Sequence, residues 1–161
     1  MVTESEIWMY LEEVADPEIP VLSIVDLGVV QKIEILDLSC EVTITPTYSG
    51  CPAMKLIETQ IIEKLIEKGI KNVKVNLVLS PAWTTDWISE KGKKKLLTYG
   101  IAPPVDEVDK SVLFAEPIVV PCPRCSSEKT RLVSQFGSTA CKAHYQCKDC
   151  LEPFDYFKCL R

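Results

Sequence analysis

A single histidine, His144, occurs in the 161 residues of this chain. A histidine-based triad needs its base beside a nucleophile, and one isolated imidazole argues against that chemistry. Long apolar runs are missing too. The hydrophobic stretches are short and broken by charge, well below the roughly 20 residues that span a bilayer. The segment Met1–Glu6 is acidic and lacks the basic region and apolar run of a secretory signal, so a cytoplasmic protein is expected. There is no basic surplus: the formal net charge is −5. That argues against a protein whose main task is coating nucleic acid, because phosphate contacts need a basic footprint. Internal repeats and low-complexity tracts are also absent.

Cysteine, in contrast, is abundant and unevenly placed. Cys40 and Cys51 lie in the first 120 residues, and the other six lie in the last 40. In a reducing compartment, paired cysteines bind metal more often than they form disulfides. Between the two regions, residues 101–110 and then Pro117 and Pro121 combine proline with acidic side chains, the composition of an extended connector. Two units are therefore expected, residues 1–103 and 121–161, joined by a linker over 104–120.

The first unit alternates helix and strand signals. Ile7, Leu11 and Val14 recur at helical spacing over residues 5–15. Asp16 ends that helix, since a residue before proline avoids helical angles. Over 29–36, Ile33 and Ile35 alternate with Lys32 and Glu34. Cys40, Val42 and Ile44 then alternate with Glu41, Thr43 and Thr45, and the short Asp37–Leu38 link predicts a hairpin. A helix over 52–68 has Ala53, Leu56, Ile57, Ile61 and Leu65 as its buried stripe and Gly69 as its stop. Val73, Val75, Leu77 and Leu79 predict a third strand, and residues 85–99 a last helix. The order helix-strand-strand-helix-strand-helix predicts an α+β domain, a small three-stranded sheet packed with helices, followed by a C-terminal zinc ribbon.

The ribbon rests on two CxxC knuckles, Cys122 with Cys125 and Cys147 with Cys150, separated by 21 residues. Together they supply the closed tetrahedron of a structural zinc site. Iron or a cluster on the same sulfurs is the alternative. Residues 131–136 and 143–146 suit the short strands of a ribbon. About 40 residues bury too little surface to fold unaided, and structural zinc contributes about 10–16 kcal/mol in small peptides. Cys141 and Cys159 are left over, as buried free thiols, substitutes for a knuckle cysteine, or ligands of a second metal. With four cysteines at hand, His144 is not needed as a ligand.

A second candidate lies where Thr45–Pro52 joins the second strand to its helix. Pro52 suits the first helical position, which places Cys51 at the N-cap. There, free amides and the helix dipole favour a thiolate, and Gly50 lets the backbone turn beside it. Such a thiolate acts as a nucleophile or holds a soft metal; the alternative is a cysteine that only caps the helix. Cys40 shares a strand face with Val42 and Ile44 and reads as a core thiol. The basic run Lys91–Lys95 is a solvated face or a docking site for an acidic partner. Trp83 and Trp87 are core or rim packing or, if exposed, part of a protein interface.

These residues carry a resemblance. Asp16–Val30 resembles the opening signature of the iron–sulfur assembly family that includes bacterial SufT. Ser49–Pro52 resembles that family's cysteine motif, with a Thr-Pro-Thr-Tyr lead-in where the family has a shorter, serine-proline one. The resemblance implies that Cys51 is functional, with Asp16, Thr47, Ser49 and Gly50 as its supporting loop. Trp83–Ser89, Gly100–Pro104, Phe136–Lys142 and Phe154–Lys158, with the ribbon, are similar to the PaaD (PaaJ) family of bacterial phenylacetate degradation over nearly the whole chain.

That second resemblance implies an accessory or maturation component of the phenylacetyl-CoA epoxidase system, with its reductase and oxygenase components as partners. It further implies structural zinc in the ribbon and iron or an iron–sulfur cluster held transiently at Cys51. Neither a membrane nor a nucleic acid is an expected partner, and a homodimer is an open expectation. The alternatives are a structural subunit of the oxygenase and a thiol enzyme using Cys51. The chain has no Glu-x-x-His pair for a di-iron bundle, no Gly-x-Gly-x-x-Gly loop and no third close cysteine in a ferredoxin-like spacing. It is not expected to insert oxygen itself.

Overall fold

The computed structural model describes residues 2–37, 39–105 and 118–158. The chain divides into two compact units, Met1–Trp83 with Trp87–Gly92, and Thr84–Asp86 with Lys93–Arg161. Helix α1 (Glu4–Glu12) opens the first unit. Thr3 caps it reciprocally: its hydroxyl accepts from the Glu6 amide at 3.3 Å, and its own amide donates to the Glu6 carboxylate at 2.8 Å. The helix stops before residue 15, yet Val14 still reaches the core along with Ile7 and Leu11.

The following stretch has no long element, but it buries Ile19, Leu22, Ile24, Leu27 and Val29. Asp16 organises its first turn by accepting from the amides of Glu18 (2.9 Å) and Ile19 (2.8 Å). The Asp26 amide donates to Ser23 Oγ at 2.9 Å, and Ser89 Oγ donates to Asp26 Oδ1 at 3.2 Å. Gly28 sits at φ +75°, where a Cβ would come within 2.5 Å of the Trp87 carbonyl oxygen, so only glycine fits. Trp83 is buried and donates its indole N–H to the Leu27 carbonyl at 2.9 Å, which makes it a core residue.

Strands β1 (Val30–Leu36) and β2 (Ser39–Ile44) pair antiparallel, with an irregularity between Val30 and Lys32. Helix α2 (Met54–Glu67) then crosses over to β3 (Asn72–Leu77), which pairs parallel to β2 and completes the three-stranded sheet β1-β2-β3. Val30, Ile33, Cys40, Val42 and Ile44 are buried positions of the sheet, and Met54, Ile57, Ile61 and Leu65 are buried positions of α2.

Four details differ from the sequence pattern. Leu56 is exposed and Met54 takes its place in the buried stripe. Ile35 is partly exposed at the end of its strand, and β3 stops at Leu77, with Leu77 and Leu79 both exposed. The last helix is not continuous: a 3-10 turn, Thr85–Trp87, precedes α3 (Glu90–Tyr99). Ser89 makes that break, because its hydroxyl accepts the Gly92 amide at 2.9 Å in the manner of an N-cap.

The second unit contains a four-stranded sheet ordered β4-β7-β6-β5, built from β4 (Ile101–Ala102), β5 (Thr130–Ser134), β6 (Lys142–Cys147) and β7 (Pro153–Phe157). The sequence reading placed Ile101 and Ala102 in the first unit; instead they pair with Asp155 and Tyr156 of β7. Ile118 and Val120, read as linker, pack into the ribbon core with Ala102, Ala143, Tyr145, Phe154 and Tyr156. Residues 106–117 of the expected linker, Leu38 of the expected hairpin link, and Cys159 lie outside the described residues.

Candidate functional site

The two knuckles converge. The sulfurs of Cys122, Cys125, Cys147 and Cys150 all lie within 4.8 Å of one another. Cys122 and Cys150 are 3.7 Å apart and Cys125 and Cys147 are 3.6 Å apart. These separations are far too long for disulfides, which have S–S of about 2 Å. They match the edge of a tetrahedron around an ion with metal–sulfur bonds of about 2.3 Å, which is roughly 3.8 Å. The four thiols fit one tetrahedral metal ion.

Local backbone explains why the knuckles present sulfur inward. The Cys122 amide donates to the Ser127 carbonyl and the Cys147 amide to the Glu152 carbonyl, each at 2.9 Å, so the two turns are built alike. Each also places the residue after its second cysteine, Ser126 or Leu151, at φ 63°. Neither is glycine, and that left-handed conformation is strained for leucine. The amides of Cys150 and Asp149 pull the Cys147 thiol down to about 7. Among the described residues, no other cysteine or histidine joins this group. Cys141 is buried with its sulfur 3.0 Å from Thr139 Oγ1. His144 Nδ1 lies 3.3 Å from Asp155 Oδ1.

The Cys51 loop is built differently from the sequence expectation. The N-cap of α2 is Ala53, and no side chain caps it. Cys51 lies two residues earlier, in a turn closed by its amide donating to the Tyr48 carbonyl at 3.3 Å, and Gly50 takes φ 78° beside it. The thiol is half-buried. Burial is the main cause that pushes its pKa up; the Glu18 and Asp16 carboxylates add to this, against hydrogen bonds from the Ala53 amide and the Tyr48 hydroxyl. Cys51 therefore stands outside the N-cap position, and burial works against its thiolate where a cap would have favoured it.

Asp16 and Cys51 thus come into one electrostatic neighbourhood, Thr47 is half-buried, and Ser49 and Gly50 are on the turn, with Gly50 exposed. The sequence reading missed Glu18 and Tyr48. The Tyr48 hydroxyl donates to Glu18 Oε1 at 3.2 Å and lies close enough to the Cys51 thiol to act on it, so it sits between the two. Burial, followed by the nearby Cys51 and Glu18, pushes its own pKa up. Both residues stood in view, two positions after Asp16 and three before Cys51. At the root of the loop, Thr45 is buried and its hydroxyl has no hydrogen-bond partner among the described residues.

Comparison with known proteins covers both sites. A family described as iron-sulfur cluster assembly protein matches residues 4–77, and one described as PaaD zinc beta ribbon domain matches residues 106–158. Over 96% of its length the chain is 48% identical to a protein of Escherichia coli K12 named as a putative 1,2-phenylacetyl-CoA epoxidase subunit, covering 92% of that protein. The chain belongs to the PaaD family. The PaaD chain is also 38% identical to an Fe-S protein maturation auxiliary factor of Porphyromonas gingivalis, over 58% of this chain and 90% of that one. A domain of unknown function from Bacillus anthracis (DUF59), solved by crystallography, superposes with a TM-score of 0.55 at 29% identity, covering 58% of this chain and 90% of that chain. The family resemblance drawn from the sequence is the one these comparisons give. No helix among the described residues is long and apolar enough to cross a membrane.

Proposed function

We propose that this PaaD chain is a cytoplasmic accessory component of the phenylacetyl-CoA epoxidase system that assists metal or iron–sulfur cluster assembly in the reductase component, with Cys51 as the transient ligand of the cargo. The observation that carries this reading is the company Cys51 keeps. Its sulfur is half-buried and influenced by two carboxylates, Glu18 and Asp16. A nucleophilic cysteine is activated by nearby positive charge or by a base. Carboxylates oppose a bare thiolate but attract a metal cation, and an arriving cation displaces the thiol proton. The surroundings therefore favour holding a cation over attacking an electrophile. In this reading Asp16, Thr47, Ser49 and Gly50 shape the loop, and Glu18 and Tyr48 join them.

We assign zinc as the resident metal of the ribbon, in line with the match to the PaaD zinc beta ribbon domain family; four thiolates close the tetrahedron and leave no open position for chemistry. Its role is to fold the ribbon that recognises the client. Elemental analysis of purified protein checks this assignment; one equivalent of iron in place of zinc would replace it.

The deciding experiment co-expresses Cys51→Ala with the reductase. The variant should keep its fold and ribbon metal while the reductase emerges with little cluster. A full cluster in the reductase would remove the role given to this thiol. The name of the Escherichia coli relative supports a second reading, a structural subunit of the oxygenase. Stoichiometric co-purification with the oxygenase, together with a fully loaded reductase, would favour that reading.

A further inference from the structure

The two edges of the first sheet are not alike. The β1 edge is interrupted between Val30 and Lys32 and carries the exposed pair Lys32–Glu34 at 2.7 Å. Irregularities and charge of this kind blunt an edge against pairing with another chain. Strand β3 forms the other edge, and its six residues pair with β2 without a register shift. It has no proline, and its one charged residue, Lys74, is already paired with Glu41 at 3.2 Å. Leu77 is 55% exposed at its end, and Leu79 just beyond is 64% exposed. An edge without a register break that ends in exposed leucines is a template for another strand.

The direction of the free backbone groups follows from one hydrogen bond. The Val78 amide donates to the Ile44 carbonyl of β2 at 2.9 Å. Alternation along a parallel strand then turns the amides and carbonyls of Val73, Val75 and Leu77 outward. We propose that this edge, which pairs with no further strand among the described residues, pairs antiparallel with β3 of a second copy of the chain, about a two-fold axis at Val75.

That register is self-complementary. Val75 faces its own copy, and Val73 faces the second copy's Leu77, so the apolar positions of the strand meet one another on one face. On the other face Lys74 meets the second copy's Asn76. Asn76 donates its side-chain amide to Glu41 at 3.0 Å, which leaves its carbonyl oxygen to accept from the incoming lysine. A register centred on Lys74 would set the two lysines directly opposite, which is destabilising. The arrangement is isologous, as a two-fold dimer requires. An extended client segment could add to the edge in the same way, but only a second copy uses this matching of Val73 to Leu77 and Lys74 to Asn76.

The full, metal-loaded chain tests this by sedimentation over two decades of concentration. It should show a concentration-dependent dimer, and Leu77→Lys should weaken that dimer tenfold or more while leaving the monomer folded, since the side chain is exposed. Single substitutions Lys74→Cys, Val75→Cys and Asn76→Cys are then oxidised with glutathione disulfide and mapped by peptide mass. At directly opposed positions the Cα atoms are about 5.5 Å apart, within disulfide range. Self-cross-linking of Val75→Cys should therefore exceed that of the other two by tenfold or more. A chain that is monomeric throughout, equal cross-linking at the three positions, or protection of β3 only after the reductase component is added would overturn the proposal.

Discussion

At the scale of single residues, the most informative side chains are those whose environment opposes their chemistry. Thr45 buries a hydroxyl with no partner among the described residues, an arrangement that costs about 1–3 kcal/mol. Replacing that hydroxyl by a methyl relieves the desolvation penalty, so Thr45→Val should stabilise the first unit by about 1 kcal/mol in a denaturant titration. Cys51 has its pKa raised, chiefly by burial. A raised thiol pKa means fewer thiolates at neutral pH than in the unfolded chain, and the difference vanishes only as pH climbs through the folded value. Alkylation of Cys51 should therefore be slow near pH 7 and rise later with pH than alkylation of the denatured protein. Glu18→Gln should shift that profile to lower pH by removing a nearby negative charge. A profile already saturated at neutral pH would restore the dipole-activated thiolate that the sequence suggested.

At the scale of elements, the sequence was a good guide to existence and order and a poorer one to ends and faces. Alternation in Cys40, Val42 and Ile44 marked β2 correctly because all three are buried. The same alternation overran β3 to Leu79, since periodicity cannot tell a buried leucine from an exposed one at a sheet edge. Helix α2 shows the limit most clearly. Leu56 and Ile57 are adjacent, and both fit an apolar stripe on paper, yet Leu56 is 48% exposed and Ile57 only 1%. Ile57→Ala should cost about 2–4 kcal/mol through lost contacts and a cavity. Leu56→Ala should stay within about 0.5 kcal/mol, as surface changes usually do. Parallel unfolding curves of the two variants check this, and equal losses would place Leu56 in the core after all. The Cys51 loop was legible in part. Proline and glycine announced a turn before a helix, but the cap falls at Ala53, and the Tyr48–Glu18 contact spans 30 residues. No local pattern encodes a contact of that separation.

At the scale of the whole molecule, the two units rest on different sources of stability, and this makes them separable by experiment. The first buries an aliphatic core under its helices, with Ile7, Leu11, Ile57, Ile61 and Leu65 at most 1% exposed. The second unit's ribbon has a core of a few aromatic residues, Tyr145, Phe154 and Tyr156, beside the four sulfurs. The spacing of the knuckles announced which four sulfurs lie within 4.8 Å of one another, because CxxC turns fix their sulfurs locally. The fourth ribbon strand, β4, was not announced, because a two-residue strand has no periodicity to read. Spectroscopy can follow each unit alone: Trp8, Trp83 and Trp87 all lie in the first unit, while Tyr145 and Tyr156 lie in the second. Strained Leu151 and four crowded thiols leave the ribbon little to hold its turns once the ion is gone. Stripping the metal with a strong chelator should therefore collapse the near-ultraviolet signal of the ribbon tyrosines and the ring contacts of Tyr145 with Phe154 and Tyr156 in NMR spectra. Tryptophan emission should stay at its native position until denaturant unfolds the first unit. Simultaneous loss of both signals on chelation would show that the aliphatic domain also depends on the ion.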